Sequence, residues 1–126
     1  MKLRIIFESA GEVLVELTGK NPRTAEAIVK AAPFESYAML WGDEVYFKTP
    51  AKVGEEESQP TVELGDVAYW PPGNALCLFF GPTPVSAPGE IRPASPVNVI
   101  GKIVKGLEVL RKVEEGEKVR VEVLEE

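Results

Sequence analysis

The sequence predicts a mainly β domain, in which one curled sheet of about eight strands closes into a barrel and two short helices cover it. Three observations lead there. Apolar residues alternate with polar ones in short segments along most of the chain, which is the period of a half-buried strand. Glycine, proline and asparagine fall between those segments, where the chain has to reverse. Only two short stretches carry apolar residues at spacings of three and four, the mark of a helix face. So many short strands leave unpaired edges unless the sheet curls onto itself, and closure removes them.

Leu3, Ile5 and Phe7 alternate with Lys2, Arg4 and Ile6, and Val13, Val15 and Leu17 continue the pattern beyond Ala10-Gly11. Two antiparallel strands joined by a tight turn follow. Asn21 is placed to cap a helix, Pro22 suits its first position because no amide donor is lost there, and Pro33 ends it. Between them Ala25, Ile28, Val29 and Ala32 share one apolar face that would plug or cover the sheet. Ser36 to Trp41 and Glu44 to Lys48 flank Gly42-Asp43 as the arms of a hairpin, although residues 34–40 also fit a second helix. Lys52 to Gln59 contains Glu55, Glu56 and Glu57 and reads as a solvated loop.

Val62 to Trp70 is either a strand pair broken at Gly65-Asp66 or one strand after a turn. Pro71-Pro72-Gly73-Asn74 must be a turn or an edge, because the prolines donate no ladder hydrogen bond. Ala75 to Phe80 is the most apolar run and is expected to be a buried strand. Gly81 to Pro96 holds Pro82, Pro84, Pro88, Pro93 and Pro96, a restrained loop longer than compact domains usually carry and therefore functional or a lid. Val97, Val99, Gly101 and Ile103 mark another strand, Leu107, Leu110 and Val113 a helical turn, and Val119, Val121 and Val123 a last strand.

The 126 residues suit one domain, 1–126, with 44% apolar residues to fill its core. No run is long enough to span a bilayer, and Met1 to Phe7 has neither the basic head nor the apolar body of a secretion signal, so a cytoplasmic protein is expected. A net charge of −6 without a basic stripe argues against nucleic acid as a partner, and no membrane partner is expected. Acids are almost all glutamate, amide side chains are scarce, and this is the bias of proteins from hot environments. One cysteine, Cys77, allows no internal disulfide.

Histidine is absent, which excludes the usual serine and cysteine hydrolases and most zinc enzymes. Asp43 and Asp66 lie apart beside turn glycines and read as turn caps, so no metal site is expected. The dispersed glycines form no phosphate cradle, and no cofactor is expected. Cys77, without a nearby base in sequence, reads as a small core residue and not as a nucleophile.

What chemistry remains is a groove. Tyr46, Phe47, Trp70, Phe79 and Phe80 lie near the proline-dense loop in strand order, and a barrel rim can present alternate aromatics to one side. Arg92, the lone base in its stretch of loop, is placed either to reach a ligand's carboxylate or carbonyl or to pair with a glutamate.

The order of these pieces resembles the cyclophilins. Val13-Leu14-Val15-Glu16-Leu17 and Asn21-Pro22-Arg23-Thr24-Ala25-Glu26-Ala27-Ile28 are similar to their opening strand and Pro-Lys-Thr-Val-Glu-Asn-Phe helix. Gly65 to Trp70 with Asn74 to Phe80 resembles a later strand pair, and Val99 to Leu110 resembles their Val-Phe-Gly-Lys-Val phrase. The string Gly65 to Gly81, joined to Ile91-Arg92-Pro93-Ala94-Ser95, is closer still to the small prokaryotic cyclophilin-like proteins, which have no assigned function. The resemblance implies a closed cyclophilin-like β-barrel.

It also implies where an isomerase site would fall. Cyclophilins grip a proline ring in an apolar pocket and direct an arginine from a Phe-His-Arg strand at the prolyl amide, favouring the twisted state in which conjugation is lost. At that place this chain has Tyr46-Phe47-Lys48, and Lys48 lacks the guanidinium fork. Phe80 matches the family's second Phe of the pocket, while the later Trp and His have no counterpart in Pro82 to Pro96.

The reading is therefore a peptide or small-ligand binding module that uses Tyr46, Lys48, Trp70, Phe80 and Arg92, with a proline-containing peptide or a small apolar molecule as ligand. Two alternatives remain: a weak peptidyl-prolyl cis-trans isomerase, and a structural protein that self-associates, as a homodimer, through a sheet edge or the long loop.

Overall fold

The computed structural model describes residues 1–124. Nine strands form one sheet in the order β3-β9-β1-β2-β8-β6-β7-β5-β4. β1 (Lys2–Phe7) and β2 (Gly11–Leu17) make the expected hairpin, with Leu3 opposite Val15 and Ile5 opposite Val13. β9 (Lys118–Leu124) pairs with the other side of β1 and β3 (Phe34–Tyr37) with β9. β8 (Asn98–Lys105) joins β2 to β6 (Asp66–Trp70), then come β7 (Ala75–Phe79), β5 (Glu44–Lys48) and β4 (Met39–Leu40).

The two terminal strands of this order, β3 and β4, are neighbours in the chain, separated only by Ala38. The sheet is thereby drawn into a nearly closed barrel. Residues 34–40 are strand, not the alternative helix, because β9 and β5 offer their backbones ladders on both sides. The strand count is one above the expected eight, since the segment before Gly42 is split at Ala38 between the two ends of the sheet.

The interior follows the alternation read from the sequence. Leu3, Ile5 and Phe7 of β1, Val45 and Phe47 of β5, Val67 and Tyr69 of β6, and Leu76 and Leu78 of β7 pack together inside. Burying a large apolar side chain of this kind is worth about 1.5–3 kcal/mol. Helix α1 (Pro22–Ala31) sends Ile28 into the same core, and the 3-10 turn Leu107–Lys112 adds Leu110. The strand expected to alternate through Val97, Val99, Gly101 and Ile103 instead carries a bulge. Its register against β6 shifts between the partners of Val67 and Ala68, so Val97 and Val99 face outward while Ile100 and Ile103 face inward.

The helix start also differs from expectation. Asn21 has left-handed backbone geometry (φ 49°) and its side chain does not cap the helix. Its Nδ2 donates to the Val99 carbonyl and its Oδ1 accepts from the Glu57 amide, which ties the following loop to β8. The cap is supplied by Glu56, whose carboxylate accepts from the amides of Arg23 and Thr24 and from the Thr24 hydroxyl. The acidic segment 52–59 is thus not wholly a solvated loop, because Glu56 is consumed in the fold. No helix among the described residues is long and apolar enough to cross a membrane.

Candidate functional site

A second apolar cluster lies on the outer face of β6, β7 and β8. Val62, Ala68, Ala75, Cys77, Phe79, Val97 and Val99 form it, with Tyr46, Trp70 and Ile91 packed against its border. Strand register explains its shape. Tyr46 of β5 stands opposite Cys77 of β7, and Cys77 stands opposite Ala68 of β6; one rung further on, Lys48 faces Ala75, and Ala75 faces Trp70. Small side chains therefore floor the middle while large ones rise on either side, and the face is concave.

The long proline-rich segment roofs part of this face. It is held by bridges from Val97 to Gln59 and from Ile91 to Val62, and internally by the Ser86 hydroxyl, which accepts from the Thr83 and Arg92 amides. The Thr83 hydroxyl donates to the Arg92 carbonyl. Between roof and sheet lies a cavity of about 290 Å³, with Trp41, Tyr46 and Trp70 as aromatic walls, Pro93 and Ala94 above and Cys77 below. A second concavity of about 380 Å³ adjoins it along Tyr46 and Trp70 and reaches Tyr37, Met39 and Lys48. Tyr37 is 62% exposed and Met39 40%, so this end opens to solvent.

Two local features set the aromatic walls. The Trp70 indole lies over Gly73, where a Cβ would meet the ring at 2.6 Å, and its Nε1 donates to the Ser95 hydroxyl at 2.7 Å. Trp41 begins the tight β4–β5 turn, in which Trp41 and Glu44 exchange backbone hydrogen bonds. That turn needs Gly42, with φ +59° and with Pro84 2.7 Å from where its Cβ would be.

A carboxyl group enters the cavity wall. Glu44 is 5% exposed, and its Oε1 has no hydrogen-bond partner among the described residues. Burial raises its carboxyl to about 7, offset only in part by the Cys77 thiol beside it. Burial and then the nearby Glu44 carboxylate push the Cys77 thiol well up, which makes it a poor nucleophile.

The family model of the cyclophilin-like proteins matches residues 1–122. The chain belongs to the cyclophilin-like family. Among solved structures, it is similar to a hypothetical protein of Archaeoglobus fulgidus, at 56% identity and a TM-score of 0.84, over 97% of this chain and 93% of that one. It is also similar to a cyclophilin-type peptidyl-prolyl cis-trans isomerase of Cryptosporidium parvum crystallised in the presence of the dipeptide Ala-Pro. There the identity is 12% and the TM-score 0.72 over the whole of both chains, a likeness of fold. A search of curated proteins gives no match.

This cyclophilin-like chain brings together some of the residues singled out in its sequence and separates others. Tyr46 and Trp70 converge as the wall common to both concavities, and Lys48 joins them at the open end. Phe80 does not: in phase with Leu76 and Leu78, it packs in the barrel interior with the Arg111 guanidinium 5.4 Å from its ring centre. Phe79 is the one that faces the outer cluster. Arg92 pairs with Glu90, Nε to Oε2 at 2.7 Å, and so belongs to the roof's own framework. Sequence reasoning missed Trp41, Glu44 and Pro93. A signal for Glu44 existed, since it stands two and four residues before Tyr46 and Lys48 on the same strand face.

Proposed function

We propose that this cyclophilin-like protein is a binding module that holds a peptide or small, largely apolar ligand on the outer face of β5, β6 and β7. The observation that carries this reading is the pair Tyr46 and Trp70, which stands between a roofed cavity and an open trough and offers aromatic surface to both. Aromatic anchors set in concave apolar surroundings carry most of the energy in small-ligand and peptide sites. Lys48 at the open end is exposed and suits a ligand's carbonyl or carboxylate there. A proline-containing peptide fits the extended trough. Scarce amides and a single buried cysteine suit a cytoplasmic protein of a heat-loving organism.

The test is titration of the intact protein with an acetylated Ala-Ala-Pro-Phe amide and with cyclohexylmethanol, followed by tryptophan fluorescence and by amide chemical shifts. Saturable binding is expected for at least one probe, with shifts confined to β5, β7 and the roof. Tyr46→Ala and Trp70→Ala should each weaken it by about tenfold or more. A catalysed rate of prolyl isomerisation that disappears in Lys48→Ala would instead establish the enzyme reading.

A further inference from the structure

Resting on that binding reading, we infer that the roofed cavity takes an organic ammonium group bearing at least one N–H, with the Glu44 carboxylate as its counter-ion and Trp41, Tyr46 and Trp70 as the faces around it. Among the side chains that line the cavity, the Glu44 carboxyl is the one ionisable acid amid aromatic and apolar neighbours, and its Oε1 accepts nothing. A buried acceptor without a donor is costly to keep, and it is seldom left so unless something else supplies the donor. Among the described residues, no lysine or arginine lines the cavity. Arg92 is held by Glu90, and Lys48, two positions beyond Tyr46, lies in the open trough. Aromatic faces attract cations through their quadrupole, and the attraction grows when water is excluded. An ammonium N–H would therefore pair with the Glu44 carboxylate and meet the rings together, whereas a neutral alcohol would satisfy only the former and a quaternary ammonium only the latter. The net charge of −6 draws cations toward the molecule at long range.

The groups that face Glu44 set its response to pH. Phe79 stands opposite it on β7 and the Cys77 thiol lies beside it, while Trp41, Tyr46, Trp70, Pro93 and Ala94 share the cavity lining, which holds no charged side chain besides Glu44. Asp43, its chain neighbour, has its carboxylate against Gly81. With the Glu44 carboxyl raised to about 7, ammonium binding should strengthen as pH rises through neutrality, while binding of a neutral probe should not change.

The experiment compares cyclohexylmethylamine with cyclohexylmethanol by calorimetry at pH 6 and pH 8, on the intact protein and on Glu44→Gln. We expect the amine to bind at least about tenfold more tightly than the alcohol at pH 8, to lose roughly tenfold between pH 8 and pH 6, and to lose its advantage in Glu44→Gln. Equal binding of amine and alcohol, unaffected by Glu44→Gln, overturns the ammonium inference and leaves the apolar groove standing. No binding of either probe overturns the ammonium inference, and the groove reading then falls only if the proline peptide also fails to bind. Should Glu44→Gln fold poorly, the pH comparison on the intact protein decides alone: an amine affinity that is flat across that range rules the counter-ion out.

Discussion

Two glutamates in this barrel are nearly equally hidden and behave in opposite ways. Glu44, 5% exposed, sits on the outer face of the sheet under the proline-rich roof, and its carboxyl is raised to about 7. Glu56, whose side chain is 9% exposed, sits at the start of α1 and is held below the ordinary carboxylate value. Burial pushes both upward. At Glu56 that push is overcome by hydrogen bonds from the Thr24 amide, the Thr24 hydroxyl and the Arg23 amide, helped by the Arg23 charge. At Glu44 only a thiol answers. Burial alone thus says little about a carboxylate. Its partners decide whether it is a structural joint or a group left over for something else.

The largest effect expected from this contrast is the pH dependence of stability. Glu44 is easier to protonate folded than unfolded, so its contribution is fully present below pH 4.5 and is lost as pH rises through about 7. The span corresponds to about 3 kcal/mol. Urea unfolding at pH 4.5 and pH 8 should show this loss in the intact protein and not in Glu44→Gln, which is then the more stable form at pH 8. Parallel pH curves for the two proteins would refute the assignment.

Next in size is Asn98, fully buried at the join between the two halves of the Glu56 region. Its Oδ1 accepts from the Glu56 amide and its Nδ2 donates to the Thr24 hydroxyl and the Gly54 carbonyl. Asn98→Ala leaves the Glu56 amide and the Gly54 carbonyl without this partner and should cost about 2 kcal/mol in chemical denaturation. A cost near zero would mean that the Glu56 joint holds without its scaffold.

Glu56→Ala should lower the thermal midpoint by roughly 5 °C at neutral pH, the usual scale for a lost helix cap. Its sign with pH is opposite to that of Glu44. The contribution is present above pH 4.5 and vanishes as pH falls through the lower folded value, so variant and parent should converge in acid. The smallest effect belongs to Arg92→Ala, which removes the pair with Glu90 from the roof. Global stability should stay as it is, while amide exchange at Ser86 and Glu90 quickens; unchanged exchange would show the roof to be held by its backbone bridges alone.

Much of the barrel was legible before any coordinates. The phases of β1, β2 and β9 follow directly from Leu3-Ile5-Phe7, Val13-Val15 and Val119-Val121, because a strand with one buried face must alternate. The site was legible in part. Tyr46 and Trp70 were recognisable as aromatics at strand positions near the proline-rich segment, and they do meet. Phe80 was assigned by likeness to a pocket residue, but strand phase carries it inside with Leu78. Arg92 had two candidate roles, and only the loop's own curvature, bringing Glu90 to its guanidinium, chooses between them. The helix cap was misassigned because an Asn before Pro at a helix start is locally sufficient, whereas the actual cap comes from a residue far along the chain.

By itself the sequence determined what repeats locally: strand phase, turn placement, one helix and the absence of histidine chemistry. These depend on side-chain periods and backbone sterics within a few residues, which composition and spacing express directly. Tertiary structure alone decided that β3 and β4 would end the same sheet, that a bulge would put Val99 outward and Ile103 inward, and that a proline-rich roof would close over Glu44. Each of these joins segments distant in the chain, and a carboxyl acquires its unusual acidity only when such segments take its water away.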